Sequence, residues 1–550
     1  MRATTLPACA PDRVALVQLE ALDDLPPRPG SFVEVQLGEA QDLPSLPPAT
    51  VTFVARARAA DGDLRMSGLL ARDGDEAVGA LFPVARACAL TDAVGVATSF
   101  VPPDGAVFAS SLRHTALAGG VGADGVARSD VLVLDGVRAE VHRLGLRRRR
   151  AGAAVVVTDD AVLVLGGEAE GTAWEDGERL ELSTRPPSLR GDPLRLSEPR
   201  AHAGAVQLAS GKVLLVGGGR GAGLLRAMEL LDPDKGTAST LDVAALTVGR
   251  LDPVVVRLAT GEVLVLGGRD AAGAAVADLE RISADARTSE RTALAARPLV
   301  TAMALPSGPA LVVRGAPGDA QWEASLVGAD GAIEALAPVD AGGAAPVLVP
   351  GTDGAPFLWD GTLRRYDPWK GRFVASDVPV LARPWSLGQG ALGFVGPGGL
   401  SGARFDVRHR LTADETLGLG STAHLAPHPR TVQALRTGLV LPGGARVAIT
   451  DTDYGAFHLT VSVAGFRELP AIELRTPLGG LVVRIAEDGA CRTPTAEGNA
   501  LEVVRAVDGT LILRIGDTQT VCAAPAGRVA VSLVAPGREA VVRGLTLRRG

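Results

Sequence analysis

A short aliphatic run ending in two glycines returns along the chain at an almost fixed interval. Residues 162–167 read VLVLGG, 213–218 read VLLVGG and 263–268 read VLVLGG, so that Gly166, Gly217 and Gly267 stand 51 and 50 residues apart, with Gly167, Gly218 and Gly268 beside them. A repeat of that length belongs to architectures that stack one supersecondary unit on the next. Weaker copies extend the series: TALAGG at 115–120, LVVRG at 311–315, FLWDG at 357–361 and ALGFVG at 391–396. The count is seven units, with six as the alternative.

Each unit is punctuated alike. A turn glycine (Gly211, Gly261, Gly308, Gly354) precedes the apolar run, and a polar stretch of similar length follows it. Glycine tolerates the positive φ of tight hairpin turns. A run of Val and Leu without alternation needs cover on both faces, as in a middle strand packed between neighbouring sheets. Each buried side chain contributes about 1.5–3 kcal/mol, and a lone sheet cannot collect that on both sides. Stacking the units around a closed ring does so and leaves only short edges.

These residues resemble the kelch-repeat family of β-propellers, in which a turn leads through an apolar strand to a double glycine and then to a Tyr-Asp-Pro-like stretch. Leu231-Asp232-Pro233 and Tyr366-Asp367-Pro368 hold that later position, the second followed by Trp369, Gly371 and Phe373. The resemblance covers residues 90–411 and is strongest in the second to fourth units. It implies a partner-binding loop face.

The flanks lack the period. Residues 12–88 carry extended patches between Pro-rich clusters and are expected to form an N-terminal β-sandwich, with 1–11 as leader or linker. Residues 412–550 alternate again in seven segments, from 458–463 to 540–547, which predicts a C-terminal jelly-roll β-sandwich whose closing pattern weakly resembles laminin-G and concanavalin-like domains. The fold class expected is all-β: a seven-bladed, alternatively six-bladed, kelch-type propeller between two sandwiches.

Composition narrows the setting. With 55 basic and 62 acidic residues the formal charge is −7, without the basic footprint of a nucleic-acid binder. Only Lys212, Lys235 and Lys370 are lysines, and that Arg bias with abundant Ala, Gly and Pro points to a GC-rich genome; the kelch resemblance is to bacterial, secreted or surface members of the family. No apolar run reaches the eighteen or more residues of a membrane-spanning helix. The four cysteines segregate, Cys9 and Cys88 early, Cys491 and Cys522 late, which favours two local disulfides and an extracellular, periplasmic or outer-surface location; four buried thiols are the alternative. No export signal is readable, although Leu6-Pro7-Ala8-Cys9 has the form of a lipoprotein signal end and makes Cys9 a candidate lipid anchor.

Arg150, Arg200, Arg250, Arg297 and Arg383 each open the strand before a glycine-ended one. In a propeller such equivalent positions share a face, so a broken ring of guanidiniums around one channel mouth is expected to bind an acidic protein or peptide. The competing reading ties them to neighbouring carbonyls and acids. The Arg147–Arg150 run is expected to be a solvated turn, and His202, in RAHAGAV, a hydrogen-bonded structural residue.

Chemistry finds few residues. GGGRGA at 217–222 fits a dinucleotide fingerprint, but no βαβ alternation surrounds it and the repeat accounts for it. The galactose-oxidase type of kelch propeller needs two tyrosines, two histidines and a cysteine crosslink, whereas of the only tyrosines, Tyr366 and Tyr454, the second lies outside the propeller, and no cysteine falls in 90–411. Sialidase-like turns, GxSxG, HExxH and Walker loops are absent from the sequence. His424 and His428 are separated by Pro427, and Asp451 with Asp453 suits an Asx turn better than a calcium shell. No metal or cofactor is expected. The function expected is a non-enzymatic exported binding scaffold; the alternatives are carbohydrate or cell-surface binding through the C-terminal domain, which has no Trp, and an unrecognised propeller enzyme.

Overall fold

The structure is a computed structural model. It describes, with short breaks, residues 102–367 and 456–549, and outside these the strands at 2–7, 16–21, 32–35, 40–42, 52–58, 64–73, 76–83, 88–89, 372–375, 383–386, 391–396, 399–404, 433–435, 438–441 and 446–448. No helix occurs among the described residues. The chain divides into two compact units, one of residues 87–365 and 372–402, the other of 1–86, 366–371 and 403–550.

The first unit is a β-propeller. Its innermost strands are Val107–Ser110, Ala154–Val157, Ala201–Gln207, Val254–Arg257, Leu299–Ala304, Val347–Pro350 and Pro384–Ser386. Each neighbours the next in that order, and the last returns to the first, so the described residues form a closed ring of seven. Every glycine-ended run of the sequence is the second strand of a blade, antiparallel to the innermost one; Val162 to Leu165, for example, pair with Val157 to Ala154. The unalternating Val/Leu composition follows from this position: Val162, Leu163, Val164 and Leu165 are all buried, Val162 and Val164 in the core shared with blade 1, Leu163 and Leu165 in the core shared with blade 3.

Blade 7 is completed from far upstream. Cys88–Ala89 pairs with the strand Gly399–Arg404, with Ala89 opposite Ser401 and Cys88 opposite Gly402. Cys88, expected at the end of an N-terminal sandwich, thus belongs to the strand that closes the ring. Outer-strand residues Arg195 of blade 2 and Thr237 of blade 3 also pair, in parallel.

In the second unit, residues 2–83 supply one seven-stranded sheet. Arg2–Pro7 lies inside it, parallel to Glu76–Pro83 and antiparallel to Ala40–Asp42, which corrects the expectation of a leader or linker over 1–11. Pairing on both edges, not apolar content, makes that segment a strand. The C-terminal residues form a two-sheet sandwich of seven and five strands. Alternation along Phe457–Val463 sends Phe457, Leu459, Val461 and Val463 inward, against Ile472, Leu474, Ile485 and Leu533 of the facing sheet. Cys491 on an edge strand of the five-stranded sheet is disulfide-bonded to Cys522 on the edge strand Thr518–Ala523 of the other, with a Cα–Cα distance of 5.9 Å. Cys9 lies outside the described residues, and with it the expected early disulfide.

Candidate functional site

The periodic arginines do not form an open ring. Arg150, Arg200 and Arg250 are at most 1% exposed. Each guanidinium turns into its own blade. Arg150 donates to the Gly166 carbonyl (2.6 Å), the Asp176 carbonyl (3.0 Å) and Glu178 Oε1 (3.2 Å). Arg200 donates to the Gly217 carbonyl at 3.0 Å and to Glu229, and Arg250 to the Gly267 carbonyl at 3.1 Å and to Glu280 Oε1 at 2.5 Å. The other carboxylate oxygen accepts a backbone N–H three residues before each arginine: Arg147, Ser197 and Thr247, at 2.8, 2.7 and 2.8 Å. Buried charges persist only when paired and hydrogen-bonded, and here both partners are. Burial pushes the Arg250 pKa down, against the pull of Glu280; it also works to raise Glu280, but the Thr247 N–H and Arg250 hold that carboxyl below its usual value.

The same arginines fix the double glycines of the preceding blade. Gly120, Gly167 and Gly218 donate their N–H to the carbonyls of Arg150, Arg200 and Arg250 at 3.1, 2.9 and 2.8 Å. Gly217 has φ +66°, and a Cβ there would sit 2.6 Å from the Arg250 carbonyl oxygen. The fourth arginine, Arg297, is partly exposed and bonds Glu323, which also pairs with Arg314. Arg383 is exposed, so of the five it and Arg297 alone retain access to solvent. In the Arg147–Arg150 run, Arg147, Arg148 and Arg149 are exposed in a bend, as the expected solvated turn has them, with Arg148 stacked 4.5 Å above the Trp174 ring and Arg147 donating to the Arg190 carbonyl, whereas Arg150 is buried.

The ring encloses a cavity of about 880 Å³ along its axis, lined by innermost strands of blades 1 to 4, 6 and 7. Its charged lining consists of Asp104, His202, Asp252 and Arg383. Two of these have unusual backbones: His202 (φ +59°) and Asp252 (φ +50°) occupy the left-handed region where blade 2 has Gly152 (φ +59°). A non-glycine residue there costs of order 1–2 kcal/mol, and such strain concentrates at functional sites. The three positions, 50 residues apart, are chained by backbone bonds, His202 N–H to the Gly152 carbonyl (2.7 Å) and Asp252 N–H to the His202 carbonyl (2.8 Å).

Side chains continue the chain across blades 2, 3 and 4. His202 Nδ1 lies 2.8 Å from Asp252 Oδ1, its Nε2 lies 3.7 Å from Glu168 Oε1, and Arg269 bonds Asp252 Oδ2. The Asp252 hydrogen bond raises the His202 pKa despite partial burial. Burial works to raise Asp252, but His202 and Arg269 outweigh it and hold the carboxyl below its ordinary range. The resulting patch carries both signs of charge, with side chains 32% to 54% exposed.

His202, expected to be a hydrogen-bonded structural residue, is hydrogen-bonded to Asp252 and also lines the cavity, with Glu168 and Arg269 extending the cluster. The signal was present in the register of Gly152, His202 and Asp252, each two residues after a periodic arginine. His424, His428, Asp451 and Asp453 lie outside the described residues. No cluster of three or more metal-ligating side chains occurs among the described residues.

No family model matches the chain, and no curated protein does. Among solved structures it is similar to one titled "Structure of YjhT", at 12% identity and a TM-score of 0.36, over 56% of this chain and 99% of that one.

Proposed function

We propose that the chain is a non-enzymatic binding scaffold of kelch type, whose propeller engages a protein or peptide at the channel mouth formed by Glu168, His202, Asp252 and Arg269. The observation that carries this reading is the pair of left-handed residues, His202 and Asp252, held at the rim of an 880 Å³ cavity while the arginine–glutamate pairs behind them are buried. Rigid blades hold the rim and leave its polar groups accessible, the usual division between scaffold and binding loops. The mixed charge offers acceptors to cationic side chains and donors to acidic ones. A setting outside the reducing cytoplasm is part of the proposal, supported by the Cys491–Cys522 disulfide.

Selection of displayed random peptides on the full chain tests it. Enriched peptides should lose binding about tenfold or more with Glu168→Ala plus His202→Gly. Binding should be retained with Asp234→Asn, in the turn between the third and fourth strands of blade 3, at the opposite end of the strands. Peptides indifferent to the double change, or a substrate turned over by the purified chain, would overturn the reading.

A further inference from the structure

Four of the five periodic arginines share a position: Arg150, Arg200, Arg250 and Arg297 stand three residues before the position opposite Gly166, Gly217, Gly267 and Arg314, whereas Arg383 directly precedes Pro384, which pairs with Phe394 inside the ladder of blade 7. In blades 2, 3 and 4 the guanidinium holds a glutamate from the third strand: Glu178 in Asp176–Glu181, Glu229 in Glu229–Asp232, Glu280 in Asp278–Ile282. In blade 5, Arg297 takes Glu323 from Gln321–Val327. Arg383 opens the innermost strand of blade 7, where the third strand, Gly399–Arg404, reads GLSGAR and contains no acid. No ion pair joins Arg383 to any described residue. Partial enclosure lowers its pKa, and no carboxylate opposes that effect.

Arg383 also lines the axial cavity. Val347, Leu348 and Val349 of blade 6 and Phe108 of blade 1 stand on the same lining. Val349 is buried, and Val347, Leu348 and Phe108 are half-buried. Of the acids on that lining, Asp252 is already engaged by His202 and Arg269, and Asp104 bonds neither arginine. An exposed guanidinium with no ion-pair partner among the described residues, on a cavity that presents apolar side chains from blades 1 and 6, suits a planar carboxylate, which it binds with paired, charge-assisted hydrogen bonds.

We propose that Arg383 is the anchor of a ligand site in the propeller channel, receiving from a ligand the carboxylate that no described residue supplies to it, with the ligand's apolar body against Val347–Val349 and Phe108. The ligand class is a monocarboxylate with an apolar substituent. Its source is either a free acid or the C-terminal carboxylate of a chain ending in an apolar residue; the second deepens the peptide-binding reading and rests on it, the first does not.

Calorimetric titration of the full chain separates the cases. Hexanoate and hexanamide test the free acid; Ala-Gly-Gly-Leu and its C-terminal amide test the peptide terminus. The expected result is that at least one carboxylate binds and its amide binds about tenfold or more weakly. Arg383→Gln should abolish the difference, Arg383→Lys should keep part of it, and Arg143→Gln, on the outer strand of blade 1, should leave it intact. Binding of the tetrapeptide but not hexanoate assigns the site to a chain terminus; the reverse assigns it to a free acid. The proposal fails if neither acid binds, if acid and amide bind alike, or if Arg383→Gln with an unchanged melting profile binds like the parent. The acid–amide comparison needs no variant, so a misfolded substitution cannot mask the answer. Loss of this site with peptides still selected at the Glu168–His202 patch would sink the inference alone.

Discussion

At the scale of single residues, the arginine–glutamate pairs decide most. Arg200 and Glu229 have no exposed side-chain surface, and each also hydrogen-bonds backbone groups, Arg200 the Gly217 carbonyl and Glu229 the Ser197 N–H. Removing one partner strands the other as a buried charge, so Arg200→Ala should cost about 3–5 kcal/mol. Urea unfolding measures it; a loss below about 1 kcal/mol would mean that the pair is not the tie described. His202 provides a second test, through pH. Its folded pKa is raised, by Asp252 first, so its contribution is complete below the ordinary histidine value and fades as pH climbs through the raised one. The groups facing it are Glu168, Asp252 and Arg269. Asn tolerates the left-handed backbone, which makes His202→Asn the suitable comparison. The gap in melting temperature between parent and variant should be widest near about pH 5.5 and shrink by about pH 8.5; a gap that grows with pH would reverse the assignment.

At the scale of strands and turns, the double glycine is a seam between blades more than a turn within one. Its second N–H reaches the next blade's arginine carbonyl, and its first has no space for a side chain. Gly217→Ala should therefore cost more than the conformational penalty alone. Gly125, at φ +74° with no atom within 4 Å of a built Cβ, isolates that penalty. Gly125→Ala is expected to lose about 1 kcal/mol and Gly217→Ala about 3 kcal/mol, read from paired denaturant titrations. Equal losses would remove the seam from the account. This element was legible because glycine pairs and aliphatic runs are local signals, and so were C-terminal strands such as Ala471–Arg475 and the alternating Thr510–Ile515, whose bounds match the sequence pattern. The direction of the arginines was not. The glutamates that claim them lie 28 to 30 residues downstream, and only the common register of Glu178, Glu229 and Glu280 carries the information. Left-handed backbone at His202 and Asp252 leaves no mark in residue type, since neither is glycine; Gly152 in the same register was the one available hint.

At the scale of the whole molecule, the features hardest to read join distant sequence. Blade 7 takes its outer strand from Cys88–Ala89, some three hundred positions from its partners at Ser401 and Gly402, and no local pattern announces such a pairing. The disulfide acts over a shorter span but on the other unit: Cys491 and Cys522, 31 residues apart, tie edge strands of the two sheets whose apolar faces form the sandwich core. Closing a loop of that length is worth about 3–4 kcal/mol. Replacing both cysteines by alanine should therefore lower the stability of the sandwich. Tryptophan position makes the effect separable, because all five tryptophans fall between Trp174 and Trp385 and none lies in 412–550. Four of the five belong to the propeller unit and Trp369 to the 366–371 segment of the other, so tryptophan fluorescence follows mainly the propeller, while far-ultraviolet circular dichroism follows strands of both units. In Cys491→Ala plus Cys522→Ala, part of the dichroism transition should move to lower temperature with the fluorescence transition in place. If both signals move together by the same amount, the two units unfold as one, and the bond stabilises the entire chain rather than the sandwich it closes.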